Sequence, residues 1–392
     1  MQHTYDVVIA GGAVIGSAAA FFLMNHPAFS GRVLVIEPDP GYQNCATTRS
    51  AASIRHQFST PENIRMSQFG TEFVKDIGAW LAVDGEAPQL DFVEGGYLFL
   101  ATAPGLPVLQ ANHRIQRELG VEVALLEPAA LAERFPWLNR EDLAGASLGL
   151  SGEGWLDAYG LLRGFRRKAI ALGAEYRQAR VVGLEREGNR IARVSLDDGS
   201  TVSCGAVINA AGTGARALAA TAGIALPVES RKRFVFYFKC RTTITGCPLV
   251  IDPSGAYFRP EGAGFICGIS PAEANDPECY DFDVDHTVFD DVLWPTLAHR
   301  VPAFEAIKVE SAWAGHYDVN TLDHNVILGP HPDLGNLLFA NGFSGHGLQQ
   351  APAVGRALAE LVCDGGYRSL DLGALGWKRV LEGRALREVN VV

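Results

Sequence analysis

The residues of this chain best suited to chemistry sit near its two ends. Close to the C-terminal end runs Phe339-Ala-Asn-Gly-Phe-Ser-Gly-His-Gly-Leu-Gln-Gln350, in which Gly342, Gly345 and Gly347 surround His346. Glycine at this density fits a backbone that turns sharply or closes on a ligand. The helix-like segment that follows, residues 351–362, offers unpaired N–H groups and the positive end of a dipole. Near the start, "IAGGAVIG" places Gly11, Gly12 and Gly16 between a strand pattern and a helix pattern. Gly11 and Gly16 fill the first and last slots of a dinucleotide-binding turn, which needs a tight bend, close approach to a pyrophosphate and close helix–strand packing. The middle slot is Ala13, with Gly12 beside it to share the role. Glu37 ends the next strand pattern, 21 residues after Gly16. An acid there accepts hydrogen bonds from a ribose hydroxyl and argues against a 2′-phosphate, hence against NADP.

Three separated segments therefore look built for one long ligand. "VINAAG", ending at Ala211-Gly212, adds a late strand that stops in small residues. A nicotinamide dinucleotide leaves the distant Gly-His turn without a job. FAD, threaded from the first glycine turn to the C-terminal helix, gives it one: N–H groups aimed at the flavin ring, where they stabilise negative charge as it is reduced.

The elements that must position these residues follow from periodicity. Residues 5–10 and 32–36 read as buried strands around a small-residue helix, 13–23, a βαβ unit of the expected size. Residues 62–81, 108–119 and 158–172 read as helices. Residues 98–100, 180–185, 193–196, 201–206, 206–210, 231–239, 309–313 and 336–340 read as strands, with two more between 255 and 268. Asp198-Gly199 marks a hairpin turn. Dinucleotide-type signals at the start, middle and end, with mixed-sheet signals between, predict an α/β chain. Its Rossmann-like FAD-binding domain (1–85, 150–225 and 320–392) carries an inserted mixed-sheet α+β substrate domain (86–149 and 226–319).

The 392 residues carry a net charge of −11 and are 48% apolar, which argues against a general nucleic-acid binder and for a globular chain. No apolar run reaches the roughly 18–20 residues of a membrane span. Seven scattered cysteines form no C-x-x-C and no zinc spacing, so reduced thiols, no metal and a cytoplasmic location are expected. The start shows no secretory or transit pattern.

Taken together, "VVIAGGAVIG", Glu37, "TTRSAASIR", "VINAAG", "YFRPEGAGFICG", "SAWAGHYDVNTLDHNVILGPHP" and "FANGFSGHGLQQAPAVGRALAEL" resemble the D-amino-acid-oxidase, glycine-oxidase and sarcosine-oxidase superfamily of FAD enzymes. Within it the chain is similar to the group of FAD-dependent oxidoreductase domain-containing protein 1, through "EGGYLFLA", "GEGWLDAYGLLRGFRRK" and "RKRFVFYF" among others. The resemblance implies non-covalent FAD held by Gly11, Gly12, Gly16, Glu37, Arg49, Ser50, Ala51, Val181, Ala211, Gly212, Gly342, Ser344, Gly345, His346, Gly347 and Gln349. It implies oxidation of a C–N bond in an amino acid or secondary amine, with oxygen or a quinone or carrier as electron acceptor. It also carries an alternative: mitochondrial members of the group are linked to respiratory-chain assembly, in which the flavin would be structural. Departures from the family pattern are specific. Gln349 and Ile266 stand where oxygen-using relatives carry lysines, and Tyr317 stands where a carboxylate-binding arginine often lies. The first two favour a dehydrogenase over an oxidase.

Hydride transfer from the carbon beside a neutral amine to flavin N5, giving an imine that water hydrolyses, demands positioning more than a strong base. A planar guanidinium suits the carboxylate clamp. Arg233 resembles the carboxylate-binding arginine of D-arginine dehydrogenase and is the first candidate, against a solvated strand-edge charge. Tyr257 is a phenol donor or a core aromatic. Tyr317, beside His316, is a donor or a packed loop residue. Arg55 reads first as surface charge, with reach to the substrate as the alternative. His346 is the histidine that the glycines bring to the flavin. Arg259 pairs with Glu261.

Overall fold

The computed structural model describes residues 4–389 and contains two large sheets. The first is built around the strand Thr4–Ala10, which pairs in parallel with Val33–Glu37 on one side and Thr201–Asn209 on the other. Outward from these lie Glu175–Gln178 at one edge, and Leu334–Asn341 with its antiparallel partner Ile327–His331 at the other. The hairpin Val181–Glu187 and Arg190–Leu196 also pairs with Thr201–Asn209. The central strands are buried and apolar almost throughout, as a parallel sheet covered on both faces requires. Residues 201–210, which read as two strands, form one: Gly205 sits within it, where an added Cβ would lie 2.7 Å from the Asp6 carbonyl oxygen. Residues 62–81 conversely form two helices, Pro61–Lys75 and Ile77–Leu81, broken at Asp76.

Helix Val14–Met24 packs against the C-terminal helix Gly347–Asp364. Small residues permit the contact: a Cβ on Gly355 would come within 2.7 Å of the Ala18 carbonyl carbon. The two helix N-termini named by the glycine motifs thus belong to neighbouring helices, although more than three hundred residues separate them.

The second sheet runs in the order Ile307–Asn320, Val228–Cys240, Gly264–Gly268, Tyr257–Glu261, Leu249–Ile251, Tyr97–Ala101, Gly145–Gly149, Val123–Leu126. Its neighbours are antiparallel except Leu249–Ile251 beside Tyr97–Ala101. The two long strands pair over their whole length, which places Arg233 opposite Gly315 and Arg231 opposite Tyr317. Aromatic rings, Phe236, Phe238, Phe258, Phe265 and Phe304, fill the core on one face. Among the described residues no helix is long and apolar enough to cross a membrane, and the seven cysteines form no disulfide.

Candidate active site and cofactor cavity

The dinucleotide-type turn is built as its sequence demands. Gly11 has φ +99°, and a Cβ on it would lie 2.3 Å from the Ala210 carbonyl oxygen; one on Gly16 would lie 1.9 Å from the Gly11 carbonyl oxygen. Gly12 donates its N–H to Glu37 Oε2 at 2.8 Å, while Glu37 Oε1 accepts the Asp39 N–H at 2.9 Å. The carboxylate is therefore fixed in direction, and burial raises its pKa.

From this turn a cavity of about 610 Å³ runs between the first sheet and the Gly-His turn. Gly11, Ala13, Glu37, Ser50, Val181, Ala211, Gly212, Gly345 and Gly347 line it. Gly12 and Gly16 stand behind it as packing glycines. The Gly-His turn is held by Asp318, whose Oδ2 accepts the Gly342 N–H at 2.7 Å and whose carbonyl accepts the Ser344 N–H at 3.0 Å. Burial pushes the Asp318 carboxyl up to about 6. Gly345 must be glycine: its φ is +99°, and an added Cβ would lie 2.6 Å from the Tyr317 ring. Helix Gly347–Asp364 then starts with no side-chain cap, leaving its first N–H groups free for a ligand.

A smaller chamber of about 110 Å³ adjoins the first cavity; Ser50, Tyr317, Gly345 and Leu348 line both. It gathers Arg55, Tyr257, Tyr317, His346 and Gln349, together with Ala51 and Ser344. Two non-glycine residues of its lining, Ala52 and Ser344, hold φ values of +55° and +52°. Such backbone conformations cost energy and persist where surrounding structure enforces them.

Arg55 is the charged centre of the chamber. It is only 5% exposed, which overturns its reading as a surface charge. Its guanidinium lies 4.4 Å over the Phe58 ring and its Nη2 is 3.0 Å from His346 Nε2. A guanidinium can only donate, so His346 Nε2 accepts and the neutral ring carries its proton on Nδ1. Burial and the Arg55 charge hold the His346 pKa well below its ordinary value. The backbone N–H of Arg55 donates to Gln349 Oε1 at 2.8 Å. The following residues hang from Glu153, which accepts the His56 and Gln57 N–H groups at 2.6 and 3.0 Å and Gln57 Nε2 at 2.9 Å. Among the described residues no carboxylate pairs with Arg55, and the Tyr257 and Tyr317 hydroxyls make no hydrogen bond. Room for the Tyr257 hydroxyl comes from Gly268, where a Cβ would lie 2.7 Å from it.

Three arginines have other work. Both terminal nitrogens of Arg233 bond Asp276, at 2.8 and 2.7 Å, and its guanidinium stacks 5.3 Å over the Tyr317 ring. It does not line the chamber; it backs Tyr317 from behind. Arg49 spends its guanidinium on the Gln43 and Ala314 carbonyls and Asn44, while its own carbonyl accepts the Trp313 indole N–H at 3.0 Å. Arg259 pairs with Glu261, as expected, and also donates to the Ala51 carbonyl at 3.1 and 2.7 Å. Residues 49–51 are thus fastened to the second sheet from both sides.

Sequence reasoning missed the apolar wall of the chamber, Tyr97, Leu249 and Ile251, and the supports Glu153 and Asp318. For Asp318 a signal was present, since it follows Tyr317 on the strand facing the Gly-His turn. Glu153 gave none.

The chain matches the family described as FAD dependent oxidoreductase over residues 6–361. It is 43% identical to FAD-dependent oxidoreductase domain-containing protein 1 of Xenopus laevis, over 99% of this chain and 85% of that protein. It is 27% identical to the glycine oxidase of Geobacillus kaustophilus, over 92% of this chain and 94% of that one. Among solved structures, L-proline dehydrogenase from P. horikoshii superimposes with a TM-score of 0.87 at 27% identity, covering 98% of this chain and 100% of that one. The glycine oxidase structure from Geobacillus kaustophilus has the same fold, with a TM-score of 0.81, over 96% of this chain and 98% of that one. A glycine-lined cavity between two helix N-termini, an acid at the end of the second strand and a match over nearly the whole chain agree: this protein belongs to the DAO family of FAD-dependent oxidoreductases.

Proposed function

We propose that this protein oxidises the C–N bond of an amino acid or secondary amine, with the substrate held in the smaller chamber by its carboxylate. The observation that carries this reading is Arg55: a guanidinium 5% exposed, without a carboxylate partner among the described residues, in one chamber with two phenol hydroxyls that make no hydrogen bond. A buried unpaired charge is costly, and an anionic ligand removes that cost. In this reading Arg55 takes the carboxylate, Tyr257 and Tyr317 donate to it or to the amine, and His346 orients Arg55.

The cofactor fits the larger cavity: Glu37 is aimed for a ribose, the Gly11 turn for a pyrophosphate, and the uncapped helix at Gly347 for the reducible end. FAD, when bound, supplies a hydride acceptor. The chain's own contribution is to hold the substrate and to favour its neutral amine. Among the described residues no carboxylate lines the chamber, and Arg55 opposes a second positive charge, so an ammonium gives up its proton there more readily than in water. The imine formed leaves to react with water. Gln349, with its amide oxygen committed to the Arg55 N–H, and Ile266, buried within the second sheet, favour a quinone or carrier over oxygen as acceptor. The name of the structural relative L-proline dehydrogenase agrees with that choice.

The test is anaerobic mixing of the purified yellow protein with amino acids, N-methyl amino acids and secondary amines, following loss of oxidised-flavin absorbance. Bleaching by one of them, lost in Arg55→Met, is expected. Bleaching that survives Arg55→Met unchanged sinks the clamp. No bleaching by any favours a structural flavin.

A further inference from the structure

The chamber that holds Arg55 has one charge and no more. Among the described residues, every other lining side chain is neutral, His346 included, because its pKa lies well below the ordinary value. The part supplied by the second sheet is largely apolar. Leu249 and Ile251 lie beside Tyr97 and Phe99 on paired strands, and Tyr257 and Trp155 pack against the same cluster. Ser270 adds one hydroxyl from the loop after Gly264–Gly268.

Four other charges act on the chamber residues, and each is committed elsewhere. Glu153 is 0% exposed and holds the backbone of residues 56–57. Glu388 accepts from Ser59, Thr60 and Asn63. Arg259 is tied to Glu261 and the Ala51 carbonyl, and Arg233 to Asp276. None of the four lines the chamber.

Resting on the reading that Arg55 holds the substrate carboxylate, we infer that this protein accepts only monocarboxylate amines whose remaining part is uncharged: small apolar or singly hydroxylated side chains, with acidic and basic amino acids and iminodicarboxylates rejected. A second carboxylate or an ammonium on the side chain would enter the Leu249–Ile251–Tyr97 wall with hydroxyls at most and no free partner of opposite charge, and desolvating it there is costly. A neutral side chain gains from the same wall.

Two titrations test this on the intact flavoprotein. The first follows perturbation of the oxidised-flavin spectrum by acetate and propanoate against malonate and by 3-aminopropanoate. The second compares anaerobic bleaching rates for alanine and proline against aspartate, lysine and iminodiacetate. Neutral compounds are expected to lead their charged counterparts by about 100-fold or more in both. Malonate or aspartate within tenfold of its neutral counterpart overturns the inference and leaves the Arg55 reading standing. No perturbation by any carboxylate, together with no bleaching, overturns both. Ser270→Arg sharpens the result: it adds a second cation to the chamber lining and should raise the affinity for malonate relative to acetate at least tenfold. Equal weakness for malonate in a Ser270→Arg protein that keeps its flavin and Tm also counts against the inference.

Discussion

The two cavities are made by different means. The larger is a backbone device: glycines at 11, 212, 345 and 347, carbonyls, helix ends, and acids such as Glu37 and Asp318 that point backbone N–H groups. The smaller is a side-chain device: one guanidinium, three phenols, an imidazole and an aliphatic pair, contributed by the second sheet, the segment around Arg55, the Gly-His turn and the C-terminal helix. The close contacts at Gly11 and Gly345 admit no added atom, whereas a side-chain device tolerates exchange but loses selectivity. That difference can be broken or sharpened experimentally.

The largest effect is expected in the smaller chamber. Arg55→Met should lower kcat/KM about a thousandfold, the order of 4 kcal/mol for a buried charged contact. Arg55→Lys should recover part of it. A loss under tenfold in Arg55→Met would mean the carboxylate is held elsewhere. Next comes the backbone device. Gly16→Ala places a methyl 1.9 Å from the Gly11 carbonyl, so the protein should purify colourless, with FAD affinity down by about 100-fold or more. Retention of stoichiometric flavin would show that the turn can shift to admit the methyl.

Between the two lies Glu153, which supports the Arg55 loop. Burial pushes its carboxyl up to about 7 from an ordinary 4.5. The native state therefore binds this proton more tightly than the unfolded chain. The stability it contributes is full below about pH 4.5 and is lost as pH rises through 7, roughly 3 kcal/mol in all. Glu153→Gln should flatten the fall in Tm between pH 5 and 7.5, with the unpartnered Gln57 Oε1 able to turn and accept the new amide. Parallel slopes in the two proteins would assign the titration to another group. The smallest effect is expected at Arg233. With its guanidinium closed on Asp276, Arg233→Gln should change kcat/KM by less than about tenfold; a loss as deep as that of Arg55→Met would restore it to the substrate site.

The same contrast explains what could be read in the sequence. Gly11, Gly16, Glu37 and the turn at 342–347 carry local meaning, because a positive φ or a close backbone contact is a property of one position. The arginines do not. Whether Arg55 is buried depends on Phe58, Phe99 and His346, and whether Arg233 is free depends on Asp276, 43 residues away. Short strands such as Val123–Leu126 and Gly145–Gly149 also escaped notice, since their glycine and alanine content carries little β signal and their neighbours in the sheet define them.

The pairing of Thr201–Asn209 with Leu334–Asn341 and the seat of Val14–Met24 against Gly347–Asp364 bear on biosynthesis. During translation the glycine turn at residue 11 is made more than three hundred residues before the wall that faces it. A nascent chain halted before residue 347 lacks the helix start that completes the cavity. A flavin that meets the chain before residue 347 has been made finds a cavity with one wall missing.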